Sequence, residues 1–113
     1  MIITKQEDGG LVVYASVKDA VKDVEALDVE ETFLAVFDEK AHPYVILWHR
    51  PNQRRIGVSA NGEYTLVPSG PPDPEALLAT IRAAAFIAPE SAAEAVKELA
   101  DGFARLGLRK GPP

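Results

Sequence analysis

Hydrophobic and polar positions alternate in short blocks along this chain, and the period of the alternation changes from block to block. Ile2–Lys5 and Leu11–Ala15 are β-branched runs. Between them lies Asp8-Gly9-Gly10, which can supply the positive-φ positions of a turn, so the start predicts a hairpin. From Val17 the spacing becomes helical. Val17, Ala20, Val21, Val24 and Leu27 fall on one stripe of a 3.6-residue period. Ser16 stands before them as an N-cap, with Asp19 three residues on as a weak form of the capping box. This helix is expected to end near Ala26 or Leu27.

Four strands follow in the pattern: Thr32–Phe37, Tyr44–His49, Arg54–Ala60 and Glu63–Val67. Asp38-Glu39-Lys40 and Asn61-Gly62 read as turns, the latter as a type I′ hairpin turn. Short connections predict antiparallel pairing in chain order. Thr32–Phe37 and Tyr44–Trp48 are apolar on both faces and predict central strands covered on both sides. Arg55–Ser59 alternates Ile56 and Val58 with Arg55, Gly57 and Ser59 and predicts a half-solvated strand.

The run from Ser69 to Pro74 breaks the pattern. Asp73 is placed to cap and Pro74 to take the first helical position. Leu77, Leu78, Ile81, Ala84 and Ala85 form the stripe of a second helix, which Pro89 interrupts. A third carries Ala92, Val96, Leu99, Phe103 and Leu106 and is expected to stop at Gly107, with Arg105, Arg109 and Lys110 favourably placed for its dipole. The expected fold is α+β. An antiparallel sheet of about five or six strands packs against helices, one between the second and third strands and two at the C-terminus. Residues 1–110 read as a single domain and 111–113 as a tail. Val24, Phe33, Ile46 and Leu99 are the expected core.

Composition narrows the chemistry. With 113 residues, 47% hydrophobic and 26% charged, the chain is one ordinary globular domain. It has no cysteine, which removes disulfide frameworks, thiolate catalysis and cysteine-ligated zinc. The first ten residues lack the basic and apolar regions of a signal peptide. The longest apolar runs, Tyr44–Trp48 and Ala83–Ala88, fall far short of the roughly 20 residues that span a bilayer. A cytoplasmic protein without a membrane partner is expected. The only histidines, His42 and His49, have no metal-binding spacing and read as structural or exposed. There is no G-x-S-x-G and no glycine-rich phosphate loop. No catalytic, metal or cofactor site is expected, and the chain does not read as an enzyme.

Charge points instead to a partner. Seventeen acids against 12 bases give a net charge of −5, which disfavours nucleic acid and favours a basic protein. The acids are uneven: Asp19, Asp23, Glu25, Asp28, Glu30 and Glu31 are accompanied only by Lys22. A solvated face is the plain reading of such a run; a local negative field that steers a basic partner is the sharper one. Asp19, Asp23, Asp28, Glu30 and Glu31 are therefore candidate partner-binding residues. Trp48, the one tryptophan, is either core or an interface anchor and joins them. His49-Arg50-Pro51-Asn52-Gln53-Arg54-Arg55 reads as an exposed basic tip that blunts aggregation or, as the sharper reading, contacts phosphate or an acidic surface.

The stretch from Leu11 to Val45 has a strand, then S-V-x-D-A at a helix start, then L-D-V-E leading to a strand that ends in F-D-E; P-D-P-E-A-L-L precedes a later helix. This resembles small immunity-type proteins encoded beside bacterial polymorphic toxins. The resemblance implies an inhibitor that binds a cognate toxin tightly and blocks or distorts its active site; the charge run suggests the means, carboxylates standing in for phosphate or substrate in a basic pocket. A secretion chaperone or adaptor, and a small-molecule-binding domain with a pocket between sheet and helices, are the alternatives.

Overall fold

The computed structural model of the chain describes residues 1–55 and 57–110. Readings that fall on Ile56, on the side chains of Arg55, Val58, Arg109 and Lys110, and on the tail 111–113 lie outside the described residues. The elements run β1 (Ile2–Gln6), β2 (Leu11–Tyr14), α1 (Val17–Asp23), α2 (Val29–Thr32), β3 (Phe33–Asp38), β4 (Tyr44–Arg50), β5 (Gln53–Arg55), β6 (Val58–Ala60), β7 (Glu63–Pro68), α3 (Pro74–Arg82), β8 (Ile87–Ala88), a 3-10 turn (Glu90–Ala92) and α4 (Ala93–Lys110). The fold is mixed α+β.

The expected β1–β2 hairpin is present, with Ile3 opposite Val13 and Gly9 at φ 87° in the turn. Its setting was not expected. β1 also pairs antiparallel with β3, and β8 adds to β2 in parallel, so the largest sheet has four strands in the order β3-β1-β2-β8. One sheet of five or six strands does not form. β4 pairs with β7, and β5 with β6, as two separate ribbons. The segment read as one strand from Arg54 to Ala60 is itself a hairpin, with Gly57 between its arms at φ 78°. β3 meets β4 only through a bridge between Phe37 and Pro43.

Asn61-Gly62 is correspondingly not a hairpin turn. The chain there crosses the end of β4 so closely that a side chain at Gly62 would run into the Arg50 carbonyl and lie 2.7 Å from the Pro51 carbonyl carbon. Glycine is required at that point for lack of space rather than for a positive φ.

The four-stranded sheet is covered on both faces. On one face, Ile2, Phe33 and Val36 pack with Ala20 of α1, with Val24, Ala26 and Val29, and with Tyr64 and Leu66 of the β4–β7 ribbon. On the other, Ile3, Leu11 and Phe37 pack with Leu77 of α3 and Val96 of α4. Val24 and Phe33 are buried as expected; Ile46 and Leu99 are half-buried at the margins of these clusters. The two-sided reading holds for β3 except at Leu34, 56% exposed. The register passes from Lys5–Ala35 to Gln6–Phe33 and leaves Leu34 unpaired as a bulge. It fails for β4. The ribbon packs only its inner face, so Val45 and Leu47 stay 49% and 45% exposed.

The helices differ in extent from the pattern. α1 ends at Asp23 and a second short helix, α2, precedes β3. Ser16 caps α1 through the Asp19 amide at 3.2 Å, and Asp73 caps α3 through the Ala76 amide at 3.1 Å, as expected. α3 stops at Arg82, short of Ala84 and Ala85, because the chain turns there to lay β8 beside β2: the Leu11 amide donates to the Phe86 carbonyl at 2.9 Å. α4 continues past Gly107 to Lys110.

Leu77→Ala should lower stability by about 2–5 kcal/mol because it empties a fully buried site, whereas Leu34→Ala should change it by less than about 0.5 kcal/mol. Urea denaturation curves distinguish the two, and equal effects would contradict the assigned burial.

Candidate functional site

The segment joining α1 to α2, residues 24–28, has few backbone partners of its own and is held by side chains from the far end of the β4–β7 ribbon and from the adjoining β5–β6 ribbon. The Tyr64 hydroxyl donates to the Val24 carbonyl at 2.6 Å. Asn52 Nδ2 donates to the Ala26 carbonyl and Arg54 Nη2 to the Leu27 carbonyl, each at 2.7 Å. The Leu27 amide in turn donates to Asn61 Oδ1 at 3.0 Å. Asn52 also accepts from the Gly62 amide at 2.8 Å, so both ends of its side chain are used. Trp48 packs against Tyr64 with ring centroids 5.8 Å apart. Four polar side chains thus fix the loop from which α2 starts.

Between that loop and the β4–β5 turn lies an open cleft of about 330 Å³, lined by Ala26, Leu27, Glu30, Glu31, Trp48, Pro51, Asn52 and Arg54. Glu30 and Glu31 come from the first turn of α2, Trp48 from the inner face of β4. Of the residues named from the sequence, Glu30, Glu31 and Trp48 are therefore brought together. Asp19 and Asp23 are not with them: with Tyr14, Lys22 and Pro89 they line a separate, shallow groove of about 510 Å³ along β2. Asp28 lines neither; it stands at the N-cap of α2 without a side-chain capping bond.

Asp23 has a structural task. Its carboxylate accepts from the Tyr14 hydroxyl at 2.6 Å, and Gln6 Nε2 reaches both Tyr14 and Thr4 at 3.2 Å. Burial, and then the Asp23 hydrogen bond, push the Tyr14 phenol up to about 12 against the opposing hydrogen bond from Gln6. Burial, with the Asp23 charge second, pushes Tyr64 up to about 12 as well. Sequence reading missed Tyr64, Asn52 and Asn61. It took Arg54 for part of a basic tip, whereas that side chain is tied back to Leu27. Asn61-Gly62 was the available signal, misread as a turn.

A second polar cluster surrounds the β3–β4 turn. Asp38 accepts from the Lys40 and His42 amides at 2.9 and 3.0 Å, from His42 Nδ1 at 3.1 Å and from the Tyr44 hydroxyl at 3.3 Å. Burial alone would raise its pKa, but the backbone amides of His42 and Lys40 and then the His42 imidazole outweigh it and hold the carboxyl below its ordinary value. The cluster shapes the turn that carries Ala41, fully buried at φ 68°. Its hydrogen bonds are spent on that turn, and among the described residues no hydroxyl nucleophile is hydrogen-bonded to His42. His49 is exposed at an irregularity in β4. Among the described residues no group of three or more His, Asp or Glu is placed to hold a metal ion, and no helix is long and apolar enough to cross a membrane.

No family model matches this chain, and neither does any curated protein or solved structure.

Tyr64→Phe leaves the Val24 carbonyl without its donor and should cost about 1–3 kcal/mol in denaturant melts. Tyr14 and Tyr64 hold their protons more tightly when folded than the ordinary tyrosine value of 10.0. Their contribution to stability is therefore complete below about pH 10 and lost as pH rises through about 12. Absorbance titration should show Tyr14 and Tyr64 ionising late in the folded protein, with Tyr44, the last of the three tyrosines, also shifted upward by burial and the Asp38 charge. All three ionising together near the ordinary value would contradict it.

Proposed function

We propose that this protein acts by binding another protein, as an immunity-type inhibitor that docks on a basic cognate toxin in the cytoplasm and occludes its active site, with no cofactor and no chemistry of its own. One observation carries the reading: Glu30 and Glu31 line one cleft with Trp48, which lies on another strand-and-turn unit further along the chain, and the cleft wall is clamped by side-chain hydrogen bonds. A surface already held in shape loses less freedom on binding and so turns more of its contact energy into affinity. Carboxylates around an aromatic anchor combine electrostatic steering with a desolvated contact. The resemblance of Leu11–Val45 to immunity-type proteins supplies the class of partner. The exposed Val45 and Leu47 on the outer face of β4 favour a second reading, a chaperone or adaptor that takes an apolar segment.

The test begins with capture of the partner from the native host. Asp28→Asn, Glu30→Gln and Glu31→Gln combined should slow association about tenfold at low salt, and the difference should shrink as salt rises. A control set, Glu90→Gln, Glu94→Gln and Glu98→Gln, removes the same charge from the 3-10 turn and α4 and should have a smaller effect. Equal effects from both sets would reduce the role of the acids to net charge. Loss of binding through Leu47→Lys alone, in a folded protein, would favour the chaperone reading.

A further inference from the structure

The cleft between α2 and the β4–β5 turn has a more specific chemistry than a negative surface. Resting on the binding reading above, we propose that it takes the guanidinium group of an arginine side chain presented by the partner. Its volume of about 330 Å³ is at the small end for ligand pockets and suits one long side chain better than a folded ligand. One wall is the half-buried Trp48 ring, braced by Tyr64 at 5.8 Å. A planar cation stacks on such a ring, and a guanidinium does so better than an ammonium. Glu30 and Glu31 also line it, and among the described residues neither is in an ion pair. Two carboxylates against the single Arg54 leave the lining negative, which disfavours an anion.

The protein's own Arg54 lines the same cleft without pairing with its carboxylates. Its guanidinium reaches the Leu27 carbonyl at 2.7 Å on the margin of the same cleft. That bond satisfies one face of Arg54 and leaves the carboxylates of α2 to an incoming cation. The glutamates make an aliphatic occupant the poorer fit, since they would lose water without gaining a partner.

The chain contains one tryptophan, so Trp48 emission reports on this cleft directly. The probes are N-acetyl-arginine amide, N-acetyl-citrulline amide, which keeps the shape without the charge, and N-acetyl-lysine amide, all at fixed ionic strength. A saturable change with the arginine probe is expected, with the citrulline probe weaker by about tenfold or more and the lysine probe between them. Glu30→Gln with Glu31→Gln should weaken the arginine probe by about tenfold, while Glu90→Gln with Glu94→Gln leaves it unchanged. Equal responses to arginine and citrulline, equal responses to arginine and lysine, no response, or indifference to the α2 substitutions would each overturn the proposal. If the probe fails but the α2 substitutions still slow association with a captured partner, the docking reading stands and only the arginine pocket is lost.

Discussion

β1 is buried on both faces, and the rest of the molecule is arranged around that fact. Ile2 points into one cluster and Ile3, fully buried, into the other. Thr4, the one buried polar side chain among the described residues, donates to the Val12 carbonyl at 2.9 Å, and no buried side-chain nitrogen or oxygen among those residues lacks a partner. A strand in this position needs cover on both sides and a partner at both edges. β2 and β3 supply the edges. α3 and α4 cover one face, and α1 with the β4–β7 ribbon covers the other. Because the ribbon lies on the same face as α1, its far end reaches the loop that leaves α1. The clamp on residues 24–28, and the cleft beside it, follow from that placement.

Local chemistry was legible where it is local. The β1–β2 hairpin and the Ser16 and Asp73 caps that start α1 and α3 are decided by a few neighbouring residues, and the pattern read them; α2 it missed. Pairing was not. Ile2 and Ile3 are too short a run to announce a central strand, while the longer apolar runs of β3 and β4 suggested that role. β4 is apolar on both sides yet solvated on one, because none of the described residues returns to cover Val45 and Leu47. Ile87–Ala88 is too brief to signal a strand and joins β2 only because α3 and α4 bring it there.

The candidate site shows the same division. The acids were visible as a charge run, but a charge run does not say which members share a surface. The fold sends Asp19 and Asp23 to one groove, where Asp23 is occupied by Tyr14, and Glu30 and Glu31 to another with Trp48. The residues that make the cleft rigid, Asn52, Arg54, Asn61 and Tyr64, act on backbone groups far away in sequence, and no spacing rule reveals such contacts. Asn61-Gly62 illustrates the ambiguity: the same pair serves a hairpin by tolerating positive φ, and here serves a close crossing by having no side chain at Gly62.

The central claim is that a side-chain clamp holds the acidic loop in place before any partner arrives. Amide hydrogen exchange of Leu27 and Gly62 tests it most directly, since their only acceptors in this account are Asn61 Oδ1 and Asn52 Oδ1. Both amides should be protected in the free protein. Asn52→Ala should release Gly62, and Asn61→Ala should release Leu27, while Ile3 in the sheet remains protected in both. Exchange of Leu27 and Gly62 at the rate of an unstructured peptide in the unaltered protein would contradict the account.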